Sequence, residues 1–285
     1  MVATARPAVQ HLPAARRWRP VIRDVAVAHA ATWLVAGLVT ITAVAGVLLS
    51  GSGGYSADPR VSTALVARDL IALAVAVPAL VLSAARARRG STRALLSWMA
   101  ALFYLAYSYY GYVVGAAITP LYPVYVAIVA AGLYGTVALI FALDFDAVPA
   151  HIAAGFPVRT IGAFLALTGV FFACLWLLLI VADPAEASGG DLLDQAVTSV
   201  DGIVLLPLLL FGSRWLSRRD PLGYPLAAIL LAKTTGTFLT LVTGTVLARQ
   251  AGLAVEPALA VAFAAGLGTA AILTIACFRH VRDAA

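Results

Sequence analysis

The sequence VAVAHAATWLVAGLVTITAVAGVLLS occupies residues 25–50 without a single Asp, Glu, Lys or Arg. A helix needs about 20 apolar residues to cross the hydrocarbon layer of a bilayer, because each residue adds about 1.5 Å to its length. This stretch therefore predicts a transmembrane helix. It is also too long to be the hydrophobic region of a cleaved signal peptide.

Seven further apolar runs follow along the chain. Together with the first they predict eight helices, at 25–50, 63–85, 94–117, 122–143, 159–182, 195–214, 222–248 and 257–278. The composition agrees, since 62% of the residues are hydrophobic and only 11% are charged, against roughly 25% charged residues in a soluble domain. We predict an all-α, polytopic membrane bundle with one transmembrane domain at 25–278, a basic cytoplasmic tail at 1–24 and a short cytoplasmic tail at 279–285.

The arginines predict the orientation of this bundle. They cluster in alternate loops, and loops rich in Lys and Arg face the cytoplasm. The opposite loops hold only Arg60 and Arg249. We expect both termini in the cytoplasm and the chain in the plasma membrane of a bacterium. The net charge of +6 has this explanation, so no nucleic-acid partner is expected. The arginines of the predicted cytoplasmic side are Arg6, Arg16, Arg17, Arg19, Arg23, Arg86, Arg88, Arg89, Arg93, Arg159, Arg214, Arg218, Arg219, Arg279 and Arg282.

The second and sixth predicted helices share a pattern that suggests an internal repeat. Each has an aspartate in its outer part, a proline further in and an arginine pair in the loop that follows. Two parallel four-helix halves, a layout found in some transporters, would produce such a pattern. Chance similarity between two helices that run in the same direction is the alternative. The matching residues are Asp69, Pro78, Arg88 and Arg89 in one helix and loop, and Asp201, Pro207, Arg218 and Arg219 in the other.

Four ionisable residues fall inside the predicted spans: Arg68, Asp69, Asp201 and Lys233. A charge at the bilayer centre costs about 2.5–3.5 kcal/mol on insertion scales, so such residues are usually paired, hydrated or functional. The aspartates lie roughly 9 Å from the outer ends of their predicted helices. We expect Lys233, the single lysine of the chain, to pair with one of them. The structural alternatives are an Arg68 that reaches the headgroups and aspartates that hydrogen-bond between helices.

Hydroxyl and aromatic groups gather in the outer half of the predicted bundle. Tyr104, Tyr107 and Tyr110 lie on the third helix, and Thr237 and Thr240 share a helical face with Lys233. Deep tyrosine hydroxyls need partners inside the apolar layer. Tyrosines near the membrane surface are instead typical of the aromatic belt, which accounts for Tyr112, Tyr122 and Tyr125.

These groups predict a membrane-embedded enzyme that acts on a hydrophobic, lipid-soluble small molecule. A carboxyl group in an apolar site can keep its proton at neutral pH, and aromatic faces stabilise cations. Proton-initiated isoprenoid cyclisation needs both. In this scheme Asp69 or Asp201 donates the proton, and Lys233 adjusts the acids or assists the final deprotonation. The residues expected to line the substrate site are Arg68, Tyr104, Tyr107, Tyr110, Thr237 and Thr240.

Three segments carry a resemblance to known proteins. RRGSTRALL from Arg88, YLAYSYYGY from Tyr104 and LYPVYVA from Leu121 resemble a large group of uncharacterised bacterial eight-span membrane proteins. In architecture the chain is also similar to the membrane-integral terpene cyclases of bacterial indole-terpenoid pathways. This resemblance implies an eight-helix membrane fold and a cyclisation activity.

Other functions remain open from the sequence. Titratable residues inside the bundle and the suggested repeat also fit a proton- or ion-coupled transporter of a small solute. A buried lysine beside acids could hold a retinal-type chromophore as a Schiff base, and a non-catalytic, lipid-interacting assembly protein is a further alternative. The four histidines are scattered and form no ligand constellation, so no metal and no cofactor is expected.

Overall fold

The computed structural model describes residues 25–49, 59–115, 121–182 and 200–283, and this part of the chain is almost wholly helical. The predicted tail at 1–24 and the start of the predicted sixth helix lie outside these residues. The helices are α1 Val25–Leu49, α2 Pro59–Ile71, α3 Val77–Ala87, α4 Thr92–Gly115, α5 Tyr122–Ala142, α6 Val158–Ala182, α7 Leu206–Ser217, α8 Gly223–Gln250 and α9 Pro257–His280.

Six helical segments in the described part are long and apolar enough to cross a membrane. They are α1, the continuous helix formed by α2 and α3, and then α5, α6, α8 and α9. Of the remaining two helices, α4 has sufficient length but carries five tyrosines between Tyr104 and Tyr112, which lower its mean hydropathy. For α7 the preceding residues 183–199 are outside the described part, so only a short helix is seen.

Two helices of the described part contain a turn of π-helix. One, Ala72–Ala76, joins α2 to α3, and the other, Asp201–Leu205, leads into α7. In each, the residue after the π turn donates its N–H to a carbonyl five residues back, and a proline follows at once, at Pro78 or Pro207. Proline offers no N–H and its ring clashes with the carbonyl four residues before it. The wider turn accommodates this defect without breaking the helix.

Helix α8 occupies the centre of the bundle. It packs against α9, α2, α4 and α7, while α5 packs against α1 and α4, and α6 packs against α7. Close approaches between helices occur where residues are small. A Cβ atom on Gly135 would lie 2.9 Å from Ala31 of α1, and one on Gly212 would lie 2.9 Å from Leu230 of α8. Small residues allow such contacts between membrane helices.

One end of the bundle, here named the Arg-rich end, is held together by contacts between three segments. Ala153 donates to the carbonyl of His280 at 2.8 Å, and Arg282 donates to the carbonyl of His151 at 2.7 Å. The Arg93 guanidinium also donates to the carbonyl of Val281. Residues 88–93, 151–156 and 280–283 therefore lie together. Phe156 packs edge-on against Tyr224 at 5.5 Å between ring centroids, so α8 also begins at this end.

The turn between α7 and α8 generates a prediction. A Cβ atom on Gly223 would lie 2.4 Å from the backbone nitrogen of Leu216, and backbone cannot move aside as a flexible side chain can. We expect Gly223→Ala to lower the free energy of unfolding by about 1–3 kcal/mol, the usual cost of overpacking. The measurement is an SDS titration in mixed micelles. The matched control is Gly268→Ala, whose added methyl meets nothing within 4 Å, and an equal loss in both variants would contradict the prediction.

Candidate functional site

Two buried aspartates accept hydrogen bonds from tyrosines that lie on different faces of α4. Asp69 comes from α2 and Asp201 from the π turn before α7, and each is nearly inaccessible, with 1% and 2% of its surface exposed. A buried carboxyl group must find hydrogen-bond donors inside the protein, because no water is available in the hydrocarbon layer. The tyrosine-rich stretch of α4 supplies those donors to both.

The first cluster, the Asp69 cluster, consists of Asp69, Tyr109, Tyr112 and Tyr125. The hydroxyl of Tyr112 donates to Oδ1 of Asp69 at 2.9 Å, and that of Tyr109 donates to the same oxygen at 3.1 Å. The two phenol rings stack with centroids 4.9 Å apart, and Tyr125 packs against Tyr112 at 5.0 Å. All four residues are buried, so this cluster is a closed, fully packed arrangement.

The second cluster, the Asp201 cluster, consists of Asp201, Tyr107, Trp176 and Lys233. Each carboxylate oxygen of Asp201 accepts a hydrogen bond, one from the Tyr107 hydroxyl and one from the Trp176 indole N–H at 3.1 Å. Three separate helical elements therefore converge on it, namely α4, α6 and the π turn before α7. Tyr107 and Trp176 are only half-buried, which makes this cluster more accessible than the first.

Lys233 joins the Asp201 cluster through an aromatic ring. Its Nζ lies 3.5 Å from the centroid of the Tyr107 ring, well within the range of a cation–π interaction. Asp201 is close enough to act on Lys233 electrostatically. The expected ion pair between Lys233 and an aspartate is not formed among the described residues. Tyr107 instead contacts both residues, with Lys233 on the face of its ring and Asp201 at its hydroxyl.

The face of α8 that follows Lys233 carries hydroxyl groups, which extend the polar region of the site along this helix. The Tyr104 hydroxyl and Thr240 Oγ1 are hydrogen-bonded at 2.8 Å. The Tyr104 ring rests against Gly236, where a Cβ atom would come within 2.8 Å of the ring. Thr237 donates to the carbonyl of Lys233 at 3.1 Å and so remains bound to its own helix. A glycine at 236 is what allows a tyrosine ring to lie directly on the helix backbone.

Arg68 of α2 lies within electrostatic reach of residues of both clusters, namely Tyr107 and Lys233 of the Asp201 cluster and Tyr112 of the Asp69 cluster. Its Nη1 atom is buried and has no hydrogen-bond partner among the described residues. The side chain as a whole is half-buried. A buried guanidinium N–H is a donor available to an oxygen-bearing group.

The two halves of α8 are packed differently. From Gly223 to Thr234 nearly every residue is buried, and apolar side chains of α4, including Leu95, Leu96 and Met99, belong to the same core. From Thr235 to Ala248 only Phe238 is buried and only Val246 is exposed, and the others are half-buried. Lys233 sits at the boundary. The site is therefore closed toward the Arg-rich end and loosely packed toward the opposite end.

The structure differs in depth and partners from the sequence-based expectations. Because α2 begins at Pro59 rather than at 63, Asp69 lies roughly 15 Å along its helix instead of 9 Å. Tyr112 and Tyr125 are buried around Asp69 and do not form an aromatic belt. Tyr110 is half-buried and makes no hydrogen bond to a described residue, so no such bond joins it to either cluster.

Sequence reasoning missed three donors to the aspartates, namely Tyr109, Trp176 and Tyr112, the last of which was assigned to the aromatic belt. Tyr109 belongs to the YLAYSYYGY segment, but which of its tyrosines face a carboxyl group depends on how α4 is rotated. Trp176 lies in an apolar run, where a tryptophan is ordinary. Its indole N–H is a donor that needs a partner when buried, and that requirement is the signal that could have pointed to it.

The Asp69 cluster generates a stability prediction. Tyr112→Phe removes a donor and leaves a buried carboxylate oxygen less satisfied, so we expect a loss of about 1–3 kcal/mol in the free energy of unfolding. Tyr122→Phe is the matched control, because the half-buried Tyr122 makes no hydrogen bond to a described residue. SDS titration of both variants in mixed micelles is the measurement, and the prediction fails if the two curves superimpose.

Among the described residues no three His, Cys, Asp or Glu side chains lie together as metal ligands would. Comparisons with protein-family models, with curated proteins and with solved structures find no match to this chain.

Proposed function

We propose that this chain is a membrane-embedded enzyme that acts on a lipid-soluble substrate, with Asp201 at its acid–base centre. The observation that carries the proposal is the Asp201 cluster. It brings a carboxyl group, two hydrogen-bond donors and a cation together at the closed end of a loosely packed, hydroxyl-lined region. Proton transfer in a water-poor site requires a positioned acid, and the donors around Asp201 fix its orientation.

Accessibility favours Asp201 over Asp69 as the acid. Asp69 is enclosed by Tyr109, Tyr112 and Leu65, each with 1% or less of its surface exposed. The partners of Asp201 are half-buried, and the neighbouring Ile203 is 76% exposed. We expect a substrate from the lipid to reach the buried Asp201 past its half-buried partners Tyr107 and Trp176. Asp69 then has a structural role, holding α2 against α4.

The reaction class we propose is isomerising cyclisation of an unsaturated isoprenoid. The carboxyl proton of Asp201 transfers to one carbon of a C=C bond, and the resulting carbocation is attacked by a second double bond to close a ring. Loss of a proton from a neighbouring carbon then forms a new double bond and returns the proton to a base of the site, so the mass is unchanged. The Asp201 carboxylate itself is that base, which regenerates the acid, and the Lys233 cation on the Tyr107 ring adjusts the electrostatics of the site.

Aromatic surfaces beside Asp201 would stabilise the carbocation. One face of Tyr107 already carries Nζ of Lys233, so the available surfaces are the Tyr104 ring and the Trp176 indole. The free Nη1 donor of Arg68 would bind an oxygen at the polar end of the substrate, and Thr237 and Thr240 would line its path. The resemblance to membrane-integral terpene cyclases supports the same reaction class.

The pattern of packing favours an enzyme over a transporter. A transporter needs polar groups that lead to both membrane faces, whereas the half of α8 between Gly223 and Lys233 is buried among Leu, Ala and Met side chains. Because this half of α8 is closed by packing, the arrangement suits a site that a substrate enters and leaves from one side. Proton- or ion-coupled transport is the alternative that the activity test distinguishes from catalysis.

We further propose that the bundle has eight spans arranged as two parallel four-helix halves. In support, α4 has the length of a span, and the π turns precede Pro78 and Pro207 by the same two residues. The Arg-rich end unites three segments that the charge pattern assigns to one side. With the arginines facing inward, both termini lie in the cytoplasm of a bacterial cell.

This topology generates a labelling prediction. In a variant with Cys174 and Cys277 replaced by Ala, single cysteines at the exposed positions Arg89 and Arg218 should react with a membrane-impermeant maleimide only after the cells are opened. A cysteine at the exposed Gln250 should react in intact cells. Labelling of Arg218→Cys and Gln250→Cys from the same side would contradict the proposed arrangement.

The enzyme proposal predicts a product that depends on Asp201. The purified chain, reconstituted in lipid nanodiscs, is incubated with linear prenyl alcohols, prenyl acids and prenylated aromatics, and extracts are compared by LC–MS. We expect a species of unchanged mass and altered retention with the wild type. Asp201→Asn should abolish it, and Tyr107→Phe should reduce it at least about tenfold, as loss of a group that orients an acid does.

Controls separate the site from general loss of folding. Glu256→Gln, an exposed carboxylate at the start of α9, should retain wild-type product, and every variant is checked by size-exclusion chromatography. If the wild type yields no product with any substrate, the cyclisation proposal fails. Proton-dependent solute uptake into proteoliposomes that disappears in Asp201→Asn would then assign the cluster to transport.

A further inference from the structure

The Arg-rich end contains an open cleft of about 460 Å³ between the start of α1, the end of α3 and the first turns of α4. It is remote from both aspartate clusters and shares no residue with them. Its walls are largely apolar, with two basic side chains among them. The lining residues are Val25, Ala26, His29, Ala87, Arg88 and Trp98.

One wall of the cleft is held rigidly. The indole N–H of Trp98 donates to Thr32 Oγ1 at 2.7 Å, and the Thr32 hydroxyl donates to the carbonyl of Ala28 at 2.8 Å. The His29 imidazole packs on Trp98 with ring centroids 4.6 Å apart. Because the indole is fully buried and fixed, His29 is presented at a defined position.

The charge in the cleft has one sign. Arg88 is exposed, lies within electrostatic reach of His29, and its guanidinium makes no hydrogen bond to a described residue. Among the described residues, no Asp or Glu lines the cleft. The nearby Asp283 accepts hydrogen bonds from the Ser91 hydroxyl and the Arg93 backbone, so it is engaged elsewhere. An anion is the ligand that two such donors would bind.

The surface next to the cleft is suited to hydrocarbon chains. Ala26, Trp33 and Val44 recur at helical spacing and form one apolar stripe along α1. Ala26 lines the cleft, and Trp33 and Val44 are 61% and 42% exposed, respectively. A ligand with an anionic head and apolar chains matches both features.

We propose that this cleft binds the phosphate headgroup of an anionic phospholipid, whose acyl chains lie on the apolar stripe of α1. Arg88 contacts the phosphate, and His29, held against the buried Trp98 ring, donates to one of its oxygens. Basic pockets between membrane helices recognise such headgroups in this way. The proposal is independent of any activity at Asp201.

The test uses the full chain purified in a neutral detergent. Phosphatidylglycerol, phosphatidylcholine with the same acyl chains, and inorganic phosphate are titrated separately, and the melting temperature is followed. We expect phosphatidylglycerol alone to raise it saturably. Arg88→Gln should weaken the apparent affinity about fivefold, the ratio that corresponds to about 1 kcal/mol for one basic residue near a membrane surface.

Matched variants keep this test decisive. Arg89→Gln removes a neighbouring exposed arginine that does not line the cleft and should change the affinity by less than about twofold. If Arg88→Gln melts early without lipid, His29→Gln replaces it and should also weaken binding. Equal stabilisation by phosphatidylcholine, stabilisation by inorganic phosphate alone, or an equal loss in Arg89→Gln would overturn the proposal.

Discussion

A carboxyl group inside a bilayer must take its hydrogen bonds from the protein, and α4 provides them for both buried aspartates of this chain. The hydroxyls of Tyr109 and Tyr112 serve Asp69, while Tyr107 serves Asp201. Because these tyrosines lie on different faces of one helix, α4 couples α2 on one side to the element before α7 on the other. Its rotation and depth are thereby fixed, and the packing of α8 beside it follows.

The same requirement explains why the bundle is asymmetric from end to end. Toward the Arg-rich end, α8 is covered by aliphatic side chains that need no partners. Beyond Lys233 the chain places threonines, glycines and tyrosines, which satisfy one another or their own helix, as the Tyr104–Thr240 bond illustrates. Packing is looser where polar groups must be accommodated. The polar residues of α8 and its less buried half therefore both begin next to Lys233.

Hydropathy was sufficient to predict the helical class and the positions of the six helical segments that are long and apolar enough to cross a membrane, because an apolar run of that length is the feature that the bilayer requires. It also drew attention to Asp69, Asp201 and Lys233, since charged residues in such runs are costly. The partners of these residues could not be predicted. Whether Tyr112 faces a carboxyl group or the membrane surface depends on helix rotation, and the contact from Trp176 depends on how α6 packs beside the π turn.

The π turns have a consequence for the evolution of the two helices that contain them. A π turn accommodates one more residue than an α turn, so it rotates everything beyond it by about 100° relative to an uninterrupted helix. The face that carries Asp69 and the face that carries the Arg88–Arg89 pair are therefore set independently. A chain that gains or loses one residue at this point can turn Asp69 toward a different neighbouring helix while the Arg88–Arg89 pair keeps its position at the end of the bundle.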